Sequence, residues 1–263
     1  YSNIILTSLN IGAYDNYTNG NYCGGISSLI IYNSILTSTQ RQQVEGYLAW
    51  KWWDSGSSVL PVAHTYYSNA PASFTSSTIT GCYNFFSADS GVTVTSNYVS
   101  QWNDNSTYSN NATQSTSAYR PSYVVTSSTM NNRPTIYFDG VTANMMLNCL
   151  SIPSTQNITL CVVGYCERLG PYLIHSAGSW NPGSIGVAIR GGSYNDLIIN
   201  FFDSVSGNSA CLPTVSTPFI LVITINTWGT AWSNTNMYLN GVQVLTDVLA
   251  YMNIAPIYLS TMN

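Results

Sequence analysis

The chain has 263 residues, enough to bury the core of one large β domain, yet only 6% are charged, six basic against ten acidic for a net charge of -4. That balance gives no positive field for phosphates and argues against nucleic acid as a partner, and no apolar run reaches the ~20 residues of a membrane-spanning helix. With one lysine, Lys51, and abundant Ser, Thr, Asn and Tyr, the surface must be built of hydroxyl and amide groups.

In chain order, IILTSLNIGA (Ile4 to Ala13) and ISSLIIYN (Ile26 to Asn33) are β runs, the second carrying Ile26, Leu29 and Ile31. A helix is predicted near residues 38–52. Thr37 followed by Gln40 fits a capping box, and Val44, Tyr47, Leu48 and the Lys51 stem recur at i, i+3, i+4 and i+7. Trp50, Trp52 and Trp53 crowd its end, where packing under the helix accounts for them more simply than a sugar-stacking platform. SNAPASFTSSTIT (68–80) has little to bury and is predicted to be a linker.

Beyond it, GCYNFFSADSG and VSQWNDNSTYSNNATQ open a second stretch of short β runs, continued by RPTIYFDG, ITLCVVGYC, GVAIR and LIINFF around Gly191 and Gly192, and FILVITINTW. In MYLNGVQV the Asn240-Gly241 pair marks a tight hairpin, because both turn positions need positive φ. The strand count suits a two-sheet sandwich. The order is unusual. Ile11 to Trp53 reads as the closing strand and helix of such a domain, and the part from Gly81 reads as its opening, with IILTSLNIGA and NIAPIYLSTMN resembling two copies of one strand.

These motifs resemble the laminin G-like branch of the concanavalin A-like lectin/glucanase superfamily. ISSLIIYNSILTSTQRQQVEGYLAWKW is similar to its final strand and terminal helix, VSQWNDNSTYSNNATQ with RPTIYFDG to its opening half, and YLNGVQV to its late hairpin. The resemblance implies an all-β jelly-roll sandwich in permuted order. Residues 1–67 would supply closing strands and helix, 68–80 the linker and 81–263 the main body. It implies no activity, since this fold carries lectins, glycosidases, adhesion modules and structural domains alike.

The chemistry-bearing residues are sparse. A glycosidase needs two carboxylates flanking the scissile bond, but the two glutamates, Glu45 and Glu167, are distant in sequence and E-x-D-x-x-E is absent. G-x-S-x-G is absent too. His64 lies beside the linker, and His175 lies in an apolar strand, where a core role suffices. No enzyme and no cofactor are expected. Asp15 with Asn16 and Asn19, and Asp104 with Asn103 and Asn105, could offer calcium ligands, but turn formation explains both loops with fewer assumptions. Cys23, Cys82, Cys149, Cys161, Cys166 and Cys211 contain no C-x-x-C pair; disulfides in an oxidising setting are favoured over buried thiols, with fifteen connectivities open. Sequons stand at Asn16, Asn105, Asn111 and Asn157, no more than the abundance of Asn, Ser and Thr supplies by chance.

The expectation is a non-enzymatic structural protein, secreted or at a cell or virion surface, that polymerises with copies of itself. One subunit would lend Ile26, Leu29 and Ile31 of a strand and Val44, Tyr47 and Leu48 of a helix to the next. The alternatives are a permuted sandwich that closes on itself and binds carbohydrate, and a segment of a tandem array.

Overall fold

The computed structural model describes residues 5–13, 21–75, 78–153, 157–168, 172–176, 185–190, 196–201, 205–209, 213–225 and 235–245. Among them strands dominate, so the all-β expectation holds. In chain order they are β1 (Ile5–Ile11), β2 (Cys23–Tyr32), β3 (Cys82–Ser87), β4 (Val92–Thr95), β5 (Tyr98–Trp102), β6 (Ala112–Thr113), β7 (Ser122–Ser127), β8 (Arg133–Asp139), β9 (Met145–Pro153), β10 (Ile158–Cys166), β11 (Tyr172–Ser176), β12 (Ile185–Arg190), β13 (Asp196–Phe201), β14 (Val205–Ser209), β15 (Phe219–Ile225), β16 (Asn236–Leu239) and β17 (Val242–Leu245). One α-helix, α1 (Ser38–Trp53), follows β2.

Every ladder between these strands is antiparallel. Neighbour to neighbour they run β14-β13-β12-β11-β1-β9-β6-β5-β7-β8-β2-β10-β15-β16-β17, with β4 along β5 and β3 along the second half of β2. β2 is the hinge point of this order. One side pairs with β10 from Gly24↔Cys166 to Tyr32↔Thr159. The other meets β8 through Cys23–Ile26 and β3 through Ser28–Tyr32.

Directly opposed residues of antiparallel strands share a face, so the registers sort the core. Leu29 lies between Val162 and Phe86, and Val162 faces Leu221; Ile31 faces Leu160, which faces Ile223. On this face Phe86 meets Trp102 of β5, their rings 5.3 Å apart. The opposite face carries Ser28, Ile30, Phe85, Cys161, Val163, Ile220, Val222 and Tyr238, and α1 lies over it. Both faces are covered. That is why ISSLIIY, ITLCVVGYC and FILVITI are near-continuous apolar runs rather than alternating ones.

The helix begins as expected. The Thr37 hydroxyl accepts from Gln40 N, and the Gln40 side chain accepts from Thr37 N at 2.9 Å. It ends at Asp54, whose left-handed φ of 57° turns the chain while its N–H donates to Trp50 O. Val44 and Leu48 are fully buried, but the buried surface is wider than the expected stripe and takes in Arg41, Glu45, Gly46, Ala49 and Trp52. The physical reason is a second cover: residues 55–67 fold back over the side of α1 away from the sheet. Gly46 makes that approach possible, because a Cβ there would lie 2.6 Å from the Tyr66 side chain.

Two further expectations meet the structure at named residues. The Asn240-Gly241 hairpin forms, with φ of 52° and 76°, and joins β16 to β17. Residues 68–80 bury more than expected: Phe74 stacks on Tyr47 at 4.2 Å and Ile79 is in the core. An aromatic ring in a Ser/Thr-rich stretch finds the helix surface nearest to it.

Candidate assembly junction

The residues expected to be lent between subunits sit on the rest of the same chain. Ile26, Leu29 and Ile31 are all buried in β2; Val44 and Leu48 are buried under α1; Tyr47 is partly buried between Phe74 and Phe85. Together they form one continuous contact between residues 21–67 and the strands after Gly81.

Polar contacts fix that seat at defined points. Trp52 Nε1 donates to the Ser28 hydroxyl at 3.0 Å, tying the end of the helix to the strand beneath it. Thr159 of β10 donates to Ser34 O and accepts from Leu36 N, holding the turn between β2 and α1. Asn33 N donates to Gly81 O at 2.9 Å, where residues 68–80 rejoin the sheet.

Charged contacts concentrate on α1. The Arg41 guanidinium lies 3.8 Å above the Tyr238 ring of β16. Its Nη1 donates to both Glu45 carboxylate oxygens, at 2.7 and 2.6 Å. Glu45 Oε2 is also 3.0 Å from His64 Nε2, and His64 Nδ1 accepts from Tyr66 N. The backbone donor therefore assigns the tautomer: the His64 proton is on Nε2 and points at Glu45. All three side chains are buried and mutually satisfied, so the cluster fastens residues 55–67 to the helix.

At the other end of α1 two ion pairs cross to the body. Lys51 Nζ is 2.9 Å from Asp89 in the turn after β3, and Asp54 is 2.5 Å from Arg133 at the start of β8. Asn131 of the same β7–β8 turn donates to Trp52 O at 3.4 Å, meeting one of the helix's last carbonyls. Asp89 is desolvated, which raises its pKa, but hydrogen bonds from Ser87 and Lys51 together with the lysine charge outweigh this and hold it below the usual carboxylate value.

Asp89, Asn131, Arg133 and Tyr238 were not legible as partners from local pattern, because their contacts span 38 or more positions. The Arg41–Glu45 pair had a local signal in its i, i+4 spacing.

The other singled-out residues fall elsewhere. Cys23, Cys82, Cys161 and Cys166 carry free thiols. Their registers explain why no bridge joins them: Cys166 opposes Gly24, which turns Cys23 to the other face, and β2 separates Cys82 from Cys161. Cys23 instead sits beside Glu167 and Tyr137. The side chain of Cys149, in β9, and residues Cys211, Asp15, Asn16 and Asn19 lie outside the described residues. His175 is buried in β11.

Asp104 accepts from Asn84 Nδ2, from the backbone N–H groups of Phe85, Ser106 and Asn110, and from the Ser106 hydroxyl. That is a loop organiser's hydrogen-bond set. Among the sequons, Asn105 is exposed with Nδ2 donating to Ser90. Asn111 is part-buried, its Oδ1 accepting from Asp104 N, and Asn157 is half-buried at the entry to β10. No described helix is long and apolar enough to cross a membrane. No family model, curated protein or solved structure matches this chain.

Proposed function

We propose that this protein is a non-catalytic, extracellular structural subunit whose β-strands form a jelly-roll sandwich of the laminin G-like kind. Copies would join head to tail when one lends its residues 1–67 to the next. The observation that carries the reading is the place of β2: it lies in mid-sheet between β10 and the β3/β8 pair, buried on both faces, and is joined to the body after α1 only through residues 54–80. A segment so placed makes the same contacts with the body whichever copy provides it, so exchange conserves the hydrogen bonds and apolar contacts of β2 and α1 with the body, outside the 68–80 connection, while linking chains. Head-to-tail exchange without closure builds a filament.

Electron microscopy of the native protein tests this. Filaments whose repeat holds one chain support it; uniform particles of single-chain mass at all concentrations overturn it.

A second reading, a carbohydrate-binding module closed on itself, is favoured by one observation: Tyr83 and Tyr108 stack at 4.6 Å, with Tyr108 half exposed beside the 103–111 loop. A glycan array read with wild type and Tyr108→Ala decides it, since sugar binding by this route disappears in the variant.

A further inference from the structure

We infer that the ion pairs Lys51–Asp89 and Asp54–Arg133 form a charge code that selects which segment seats on which body and in which helical register, the partner being a second copy of this chain. The inference rests on the segment-exchange reading above.

The apolar contacts under α1 and β2 provide attraction but little direction, because burial is roughly proportional to area. Register and partner identity have to come from groups with sign and geometry. Near the end of α1 the segment presents a positive charge and then, three residues on, a negative one. The body presents the complement, Asp89 and Arg133, at 2.9 and 2.5 Å. A slip of the helix by one turn in one direction brings Asp54 toward Asp89, and in the other brings Lys51 toward Arg133. Either slip replaces attraction with repulsion. The Arg41 guanidinium over Tyr238 marks the opposite end of the helix, so the seat is fixed at both ends.

Composition strengthens the argument. The chain has six basic and ten acidic residues, and its single lysine is spent here. On a surface of hydroxyls and amides, few other charges compete for these four. All four are partly exposed, with side-chain exposure of 21% for Lys51, 40% for Asp89, 43% for Arg133 and 64% for Asp54. Such rim pairs contribute little to affinity, but they discriminate between partners.

The test uses full-length chains. One variant carries a reversed segment, K51E/D54K; the second carries a reversed body, D89K/R133E; a third combines all four changes and restores both pairs within one chain. Each is unfolded and refolded alone, and the first two are also refolded together at equal concentration, with mass read by light scattering after size exclusion. The expected result is that the mixture forms 1:1 species of at least twice 28.7 kDa, in at least tenfold excess over either variant alone. The third variant should behave as wild type, which shows that the substitutions do not block folding.

The inference is overturned if the mixture shows no mass beyond that of the separate variants, or if the reversed-segment variant alone assembles as wild type does. The second result would leave segment exchange itself intact. Wild type that stays at single-chain mass while the two variants associate would instead remove native assembly and keep the code.

Discussion

Glu45 and His64 meet at 3.0 Å with neither side chain exposed, and the Arg41 guanidinium closes the same carboxylate from the other side. A chain that is only 6% charged places one of its two glutamates in its interior. The pair exists because α1 is covered twice, by the sheet and by residues 55–67, so that a polar position on an ordinary surface helix becomes interior here.

Removing one member should therefore do more harm than removing both. Glu45→Ala leaves the Arg41 charge without its carboxylate and is expected to destabilise by about 3 kcal/mol, whereas R41M/E45L, which replaces the ion pair with apolar groups, recovers part of that loss, the remainder being the His64 Nε2–H left without its acceptor. Urea denaturation of the wild type and both variants measures it. Equal midpoints for the single and double variants would contradict the account.

Gly46 should resist improvement. Ala is the better helix former by about 1 kcal/mol, so on propensity alone Gly46→Ala stabilises. The Tyr66 side chain, 2.6 Å from the added Cβ, reverses the sign unless residues 55–67 move away. A lower thermal midpoint for Gly46→Ala, and a rise when it is combined with Tyr66→Ala, is the expected pattern.

Acid should loosen the seat of α1. Asp89 has a folded pKa below its unfolded value of about 3.9, so its contribution is fully present above that value and is lost as pH falls through the lower, folded one. Asp139, desolvated but accepting from the backbone N–H groups of Val141, Thr142 and Ala143, is depressed as well and adds to the same slope. Stability measured from pH 6 down to pH 2 should fall less steeply in Asp89→Asn than in wild type. Identical slopes would show that the Lys51–Asp89 contact is not made in solution.

The thiols offer a readout of the junction. Burial pushes the Cys82 thiol up to about 12, with the Asp104 charge adding to it, and raises Cys161 well above its ordinary value. Both lie on the face that α1 covers. Cys23 is raised too, first by desolvation, with the Tyr137 hydrogen bond opposing and Glu167 adding, but it is the partly exposed one of the four described thiols. Because the thiolate is the nucleophile, iodoacetamide at pH 8 should modify Cys23 first and reach Cys82 and Cys161 only when the segment lifts. Peptide mapping after timed labelling checks the order; early modification of Cys161 in folded protein would mean that the helix does not cover it.

How much of this was legible in the sequence depends on the range of the interaction. The capping box at Thr37 and Gln40, the apolar runs of β2, β10 and β15, and the Asn240-Gly241 turn are local: propensity, periodicity and positive φ act within a few residues, so the elements could be read directly. Residues 68–80 were expected to have little to bury, and Phe74 and Ile79 pack nonetheless, because composition describes a stretch on average, whereas packing depends on which single side chain finds a surface.

By itself, then, the sequence determined an all-β chain with one capped helix and a surface nearly empty of charge. Only the tertiary structure decided that β2 lies in mid-sheet, that Glu45 is interior, and that Lys51 and Asp54 meet Asp89 and Arg133. Those facts depend on tertiary packing, strand order and register, which bring together residues from 19 positions apart, at Glu45 and His64, to more than 100 apart, at Gly24 and Cys166, and no local rule of backbone or side-chain preference reaches that far.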